Sequence, residues 1–527
     1  MRYPPRMTRL ISLLIAVVLA SSLSPSIAQA PPPWSPPVFA DPQRAQKLAA
    51  AFPEVDAAFQ NYGKTLVGFA YGVIIDGQLA HVGSGGVRDL AGNGPIDQDT
   101  VFRIASMTKS FTALCILKLR DGGKLSLEDP VEKYIPELAA LKYPTTDSPK
   151  ITIRHLLGHA EGFPEDNPWG DQQLARTEQW LSAAMKSGIP FSNPPGLAYE
   201  YSNYGFGILG QVVVRVAKEP YRDYVTREIL KPLGMSATVL EAKSVPANRL
   251  AHGYRREDNQ WKEEPQLPDG VFGAMGGMLT STRDLAKYVA FHLAAWPPRD
   301  DADTGPVKRS SVREMHQVSR MASASVVRTG ATPADTNLNS GGYGYGLRIR
   351  QTCAIRHVVA HSGGLPGFGS LMQWYPELGV GFIAMGSTTY SGWGNAVEQA
   401  TAALLKTGAL QPRVATPSPA LLDAREKING LINDWDDATV ESIAADNLFK
   451  DIAKDRRKAA LDELKTKVGA CRPGKRFDVE NALRGQWTMT CEKGDVNVSI
   501  TLAPTMPPKV QYWVMMPGVP APVSTCR

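Results

Sequence analysis

The stretch RIASMTKSFTALCILKLRDGG (103–123) decides how this chain is read. A strongly apolar run begins here and Gly122-Gly123 supplies a stop, so a helix is expected over 106–121. At its start stands the only Ser-x-x-Lys of the sequence, Ser106 and Lys109. Positions i and i+3 share a helix face, so hydroxyl and amine can meet. A serine hydroxyl attacks well only when a base takes its proton. Lysine serves as that base if desolvation lowers the pKa of its ammonium. Ile104, Ala105, Met107, Phe111 and Leu114 offer the apolar setting. Taken alone, the tetrapeptide reads more simply as a serine N-cap followed by a surface lysine.

Upstream, Leu66 to Ile75 reads as a strand, Asp76-Gly77 as a two-residue hairpin turn, and Gln78 to Val82 as the returning strand. Residues 125–250 carry mainly helical patterns. Past 340 the chain becomes strand-rich, with runs at Tyr343 to Arg350, Ile355 to His361, Ser370 to Tyr375 and Val380 to Met385. A helix from about Asn395 to Lys406 follows. Strands at both ends with helices between predict one antiparallel sheet interrupted by a helical insertion, an α/β (α+β) architecture. QPRVATPSPA (411–420) reads as a linker. Beyond it, helical patterns at 421–450 and 455–468 precede strands near 483–491, 495–502 and 509–516, a small α+β module. Its Trp487, Tyr512 and Trp513 read as core residues.

Three further stretches carry candidate chemistry. PPGLAYEYSNYGFGILG (194–210) places Tyr201 and Asn203 before an apolar helix. A tyrosine hydroxyl can relay a proton, and an asparagine both donates and accepts hydrogen bonds. AHSGGLPGFGS (360–370) follows a strand run with His361, Ser362, Gly363 and Gly364, whose glycines let a substrate backbone approach a strand edge. ITIRHLLGHAEGFP (151–164) sets His155 and His159 four apart, but Leu156 stands where a zinc hydrolase motif needs Glu, so a structural histidine pair is the expectation.

Ser-x-x-Lys, Tyr-x-Asn and His-x-Gly in that order resemble the serine β-lactamase and penicillin-binding-protein superfamily. The nearer likeness is to its class C β-lactamase, D,D-carboxypeptidase, D-aminopeptidase and esterase branch. VFRIASMTKSFTALCILKLRDGGKLSLEDPVEKYIPEL (101–138), PLGM (232–235), GGMLTSTRDLAKY (276–288) and YGYGL (343–347) are similar to landmarks of that family, over about residues 45–408. The resemblance implies a β-lactamase/transpeptidase-like fold and a Ser106 acyl-enzyme. It implies acid/base work shared by Lys109 and Tyr201, and substrate contacts from Asn203, His361, Ser362, Gly363 and Gly364. The oxyanion would be held by the backbone N–H groups of Ser106 and Gly364. Two departures stand out. His361 replaces the usual lysine and is mostly neutral at pH 7, and Glu161 adds an acid after His159. The C-terminal module resembles a cone-shaped NTF2-like domain.

Composition sets the surroundings. The 527 residues are 43% hydrophobic and 20% charged, as in globular proteins of two or more domains. Residues 1–30, with Arg2, Arg6 and Arg9, a short apolar run and Ala28-Gln29-Ala30, read as a cleavable signal peptide, implying a periplasmic or secreted protein. Its removal lowers the net charge of +6 to +3, which favours neither nucleic acid nor membrane surfaces. The expected organisation is a Pro-rich leader at 31–44, a hydrolase domain at 45–410, a linker at 411–420 and an accessory domain at 421–527. Five cysteines leave at least one thiol free; Cys115 reads as buried core, and Cys471 and Cys491 as bridge candidates with Cys526 competing. The expected activity is hydrolysis of an amide or ester, whether D-amino-acid peptide, peptidoglycan fragment, small ester or β-lactam, without cofactor or metal. The alternative is a non-catalytic module binding peptide or cell-wall fragments.

Overall fold

The computed structural model describes residues 35–328 and 336–518. The signal segment, the first residues of the Pro-rich leader and Cys526 lie outside the described residues. β1 (Gly68–Ile75) and β2 (Gln78–Gly86) form the expected hairpin. Asp76 and Gly77 both take positive φ, 51° and 81°, as a primed two-residue turn requires. β3 (Val101–Arg103) leads into the Ser106 segment, a 3-10 turn over Ala105–Met107 followed by the helix Thr108–Asp121. β4 (Tyr254–Glu257) and β5 (Gln260–Glu263) make a small hairpin, and β6 (Leu279–Ser281) pairs with β3.

The last part of this module is β-rich: β7 (Arg320–Arg328), β8 (Thr336–Tyr343), β9 (Arg348–Thr352), β10 (Val358–Leu365), β11 (Phe368–Tyr375) and β12 (Val380–Gly386). With β1 and β2 they form one eight-stranded sheet in the order β2-β1-β12-β11-β10-β9-β8-β7, with antiparallel neighbours. Every residue of β1, β11 and β12 is buried, because both faces of the central sheet are covered. The helices Phe52–Gly63 and Gly394–Lys406 enclose a core with Phe59, Tyr71, Val380, Phe382 and Trp393. On the other face the helix Thr282–Ala294 and the helical insertion enclose Phe111, Leu209, Tyr288 and Met372.

Two expectations about elements need correction. The run Tyr343 to Arg350 is not one strand: β8 ends at Tyr343 and β9 begins at Arg348, with a turn at Gly344–Leu347 that includes Gly346 at φ 67°. Tyr345 and Leu347 continue the apolar pattern through that turn and outweighed the turn signal of Gly344 and Gly346. The stretch 125–250, read as helical patterns broken by Pro and Gly loops, holds such helices, but they are shorter and the connections longer than that reading implies; only Glu178–Ser187 and Asn203–Ala217 reach ten residues.

The C-terminal module is a smaller β-rich unit. β13 (Cys471–Asn481), β14 (Arg484–Cys491), β15 (Gly494–Leu502) and β16 (Val510–Pro517) form a sequential antiparallel meander. The helices Pro419–Asn433 and Lys454–Val468 contribute Leu421, Ile428 and Leu461 to its separate core, which contains Trp487, Val496, Val498 and Trp513. Tyr512, expected inside, is exposed. β13 was not expected, because CRPGKRFDVEN carries Pro, Gly and five charged residues; it is an edge strand, where such residues are tolerated. A disulfide joins Cys471 to Cys491, which face each other across β13 and β14, while Cys115 is a buried free thiol.

Candidate active site

Ser106 sits in the 3-10 turn that opens the helix Thr108–Asp121. The residue before it, Ala105, has φ 49°, a left-handed conformation that costs an L-residue about 1–2 kcal/mol. Local bonds hold it there. The Thr108 hydroxyl donates to Ala105 O (2.7 Å), Met278 N donates to the Thr108 hydroxyl (3.2 Å), and Ile104 N donates to Met278 O (3.0 Å). Among the eight described non-glycine residues with positive φ, four are Asp or Asn and one is the C-cap Lys218. The other three, Ala105, His159 and Tyr390, all border this site.

Lys109 faces inward and is fully buried. Its Nζ donates to Asn203 Oδ1 (2.6 Å), Met275 O (2.9 Å) and Ser106 Oγ (3.1 Å), and lies 4.9 Å from the centre of the Tyr201 ring. Burial brings the ammonium down to about 7, against the opposing pull of Asp171, Asp166 and Glu165, with Arg348 adding to the decrease. A neutral amine has two N–H donors and one lone pair. With Asn203 Oδ1 and Met275 O as fixed acceptors, the lone pair is left for the Ser106 hydroxyl. Tyr201 lies beside the serine, and burial holds its hydroxyl above the ordinary tyrosine range, so it remains a proton donor.

Asn203 is fixed from several directions. The main-chain N–H groups of Asn203 and Tyr204 both donate to the Asp166 carboxylate (2.7 Å each), and Ser202 Oγ accepts from Gly205 N (3.0 Å). These bonds cap the helix Asn203–Ala217, where an anion is favoured. The Asn203 amide donates to Asn167 Oδ1 (2.6 Å), which leaves its carbonyl for Lys109. A Cβ at Gly170 would fall 2.5 Å from Asn203 Cβ, so the 165–173 loop lies directly against this residue.

His361, Ser362, Gly363 and Gly364 lie within β10, not after a strand. β9 pairs only with Val358–Ala360, so the β10 edge is open from His361 onward. Gly363 abuts Ile104 O, where a Cβ would come within 2.1 Å, which brings this edge beside the turn carrying Ser106. The histidine differs from expectation. Its Nδ1 lies 2.6 Å from Ser362 O, an acceptor, so Nδ1 carries the hydrogen; Nε2 then accepts from the Tyr343 hydroxyl at 2.8 Å. Burial, with Arg348 and Lys109 nearby, holds His361 well below its ordinary pKa. It is neutral, internally satisfied and not a free cation for substrate.

The cation stands elsewhere. Arg348 opens β9, its guanidinium carbon 5.7 Å from the centre of the Tyr201 ring, with Tyr199 and Tyr343 as further neighbours. Its side chain is exposed, and no carboxylate lies within 4 Å among the described residues. The sequence reading missed it: the YGYGL landmark ends one residue short of Arg348. The two histidines of 151–164 have separate structural tasks. His155 Nδ1 accepts from Thr152 N in a capping box, and His159 Nδ1 accepts from Ser202 N (3.1 Å) with its ring against Tyr201 and Tyr343. Glu161 is completely buried beside Gly205, and burial raises its carboxyl well above the usual range, so it is a neutral acid and adds no charge to the site.

Known proteins share this arrangement of elements. The Beta-lactamase family model matches residues 55–406. Protein flp of Staphylococcus aureus (strain COL) is 30% identical over 291 residues, 54% of this chain and 52% of its own length. Penicillin-binding protein 4* of Bacillus subtilis (strain 168) is 26% identical over 320 residues, 57% of this chain and 63% of its own. The chain spans about half the length of the flp relatives it matches. Among solved structures, the octameric penicillin-binding protein homologue from Pyrococcus abyssi aligns with TM-score 0.55 and 22% identity over 87% of this chain and 91% of that one. EstCE1, a hydrolase with promiscuous acyltransferase activity, aligns with TM-score 0.54 and 19% identity over 68% and 99%.

Proposed function

Because the chain belongs to the beta-lactamase family, whose fold it shares with penicillin-binding proteins and class C β-lactamases, we propose that it is an acyl-serine hydrolase acting through Ser106. The observation that carries this reading is the buried Lys109 amine, 3.1 Å from Ser106 Oγ and held by Asn203 and Met275. Lys109 in its neutral form takes the serine proton as Oγ attacks the carbonyl carbon. Tyr201 gives a proton to the leaving group, and the N–H groups of Ser106 and Gly364 hold the oxyanion. Water then releases the acyl group by the reverse proton path.

The exposed Arg348 beside Tyr201 favours a leaving group that carries a carboxylate, as in a peptide amide ending in a D-amino acid. Labelling with a fluorescent penicillin or a fluorophosphonate, followed by intact mass, tests the reading. An adduct on Ser106 that disappears in Ser106→Ala is the expected result. No adduct with either probe and no ester turnover would leave the non-catalytic binding module as the better account. Comparing nitrocefin, p-nitrophenyl esters and D-Ala-D-Ala peptides then selects the substrate.

Residues 1–30 support export to the periplasm or medium, and N-terminal sequencing of the mature protein checks the cleavage after Ala30. Among the described residues no helix is long and apolar enough to cross a membrane. The four-stranded meander with helices packed on it supports an NTF2-like reading of the C-terminal module.

A further inference from the structure

The cleft has two walls, and one side chain crosses between them. One wall is the open edge of β10 with the Ser106 turn; the other is the 165–173 loop with Asn203. Tyr390, in the loop after β12, lies on the first wall: a Cβ at Gly364 would fall 2.6 Å from Tyr390 Cδ1, so only glycine leaves room for the ring there. Its hydroxyl donates to Asp171 Oδ2 on the second wall, at 3.1 Å.

The backbone of Tyr390 is held in a conformation a tyrosine does not favour, with φ 51°. Tyr390 N donates to Phe368 O (3.1 Å), Thr389 N to Tyr254 O (2.8 Å), and Gly367 N to the Thr389 hydroxyl (2.7 Å). The residue nevertheless remains 47% exposed, so core packing does not account for this fixation. Asp171 is 4% exposed and carried on the Gly170–Gln172 turn.

The bridge also has a definite end of the cleft. Arg348 pairs with Ala360 of β10, four residues before Gly364, so the two points lie about 13 Å apart at 3.3 Å per residue. Arg348 and the proton donor Tyr201 serve the leaving group; Tyr390, Asp171 and the Asn203 wall therefore face the acyl group.

We propose that Tyr390 and Asp171 form a bar across the acyl end of the cleft that restricts the enzyme to substrates with short acyl groups. The proposal rests on the hydrolase reading above. Beyond a few carbons, or a single amino-acid residue, the acyl chain meets the tyrosine ring.

The test compares kcat/KM for p-nitrophenyl acetate, butyrate and octanoate. Wild-type enzyme falls steeply from butyrate to octanoate. Tyr390→Ala raises the octanoate-to-acetate ratio by about tenfold or more, through KM on the long ester. Tyr390→Phe, which keeps the ring but loses the bridge, and Asp171→Ala raise it by smaller factors, about threefold. Asp171→Asn, which retains an acceptor for the hydroxyl, stays within about twofold of wild type. If Tyr390→Ala does not fold, Tyr390→Phe and Asp171→Ala carry the comparison. Labelling rates of Ser106 with short- and long-chain alkyl fluorophosphonates give the same ratio without turnover. Ratios unchanged in Tyr390→Ala, or in both milder variants, overturn the bar while leaving the hydrolase intact. Wild-type protein with neither turnover nor label overturns both.

Discussion

The Ser106 cleft and the C-terminal module are built on opposite terms. Behind the cleft, Lys109, His159, Glu161, Asp171 and His361 are buried together. In the C-terminal module the buried polar side chains among the described residues are Ser418, Thr488 and Asn497, all uncharged, around an apolar core. Taking an ionisable group out of water is unfavourable unless it is paired or neutral. A fold carries several such groups in one place where chemistry needs their protonation displaced, and avoids them where only packing matters. The two regions should therefore respond in opposite senses to substitution: activity lost without stability in the first, stability lost without activity in the second.

The largest expected effect is at the nucleophile. Ser106→Ala should lower ester turnover by at least about 10⁴-fold while leaving the thermal midpoint unchanged or raised, checked by hydrolysis assay and calorimetry. A fall in stability of the same order as a core deletion would break the comparison. Next, Lys109→Met should reduce kcat/KM by about 10³-fold and raise the thermal midpoint, since a buried amine gives way to an apolar side chain of similar length. The sign of the pH dependence follows from the direction of its shift. Folded Lys109 titrates near 7 and unfolded lysine near 10.5, so its destabilisation is fully in force below about pH 7 and relaxes as pH rises toward 10.5. Activity should show an acid limb near pH 7 that Lys109 sets, and a profile flat through that range would remove the lysine as base.

In the C-terminal module, Trp487→Ala should destabilise by about 3–5 kcal/mol, read in a tryptophan-independent chemical denaturation curve, with the rate of Ser106 labelling little altered. Replacing both Cys471 and Cys491 by Ser should remove about 3 kcal/mol from the same transition, given a closure of 20 residues. Loss of labelling in either variant would show that the two regions are coupled. The smallest effect belongs to Glu161→Gln near pH 5. Wild-type Glu161 has a raised folded pKa, so its contribution is most favourable below pH 4.5 and declines as pH rises toward the folded value. The glutamine variant lacks that decline, and its thermal midpoint should gain on wild type as pH increases.

What the sequence disclosed about the site was set by short-range geometry. Ser106 and Lys109 are one helical turn apart, and Tyr201 and Asn203 flank a helix start, so spacing allowed each pair to meet, and the order of the three motifs singled them out. The hairpin at Asp76-Gly77 was legible for the same reason: two residues tolerant of positive φ stood between two apolar runs. Partners brought in by tertiary folding were not identifiable as partners, although Tyr343 lies within the YGYGL landmark. Met275 O, Tyr343, Arg348 and Tyr390 reach the site from four separate segments, and nothing in their flanking sequence marks which atoms they meet. His361 shows the limit most clearly. Its position in the motif was readable, but its loss of both nitrogens to Ser362 O and Tyr343 follows only from the folded strand.

The place of β1 in the sheet has a consequence for how the chain is made. The β1–β2 hairpin needs only its own turn and can close within microseconds of synthesis, yet β1's other neighbour is β12, with Ile75 opposite Val380. Roughly three hundred residues must emerge before that edge is covered, a separation that slows folding and lengthens exposure. In the interval GFAYGVII, paired only with β2, presents one free edge of an uncharged strand with apolar side chains on both faces, the kind of segment that recruits other chains. The nascent protein therefore passes through a long window in which solubility depends on whatever shields β1, and temperature or crowding during production acts on that window before it acts on the folded protein.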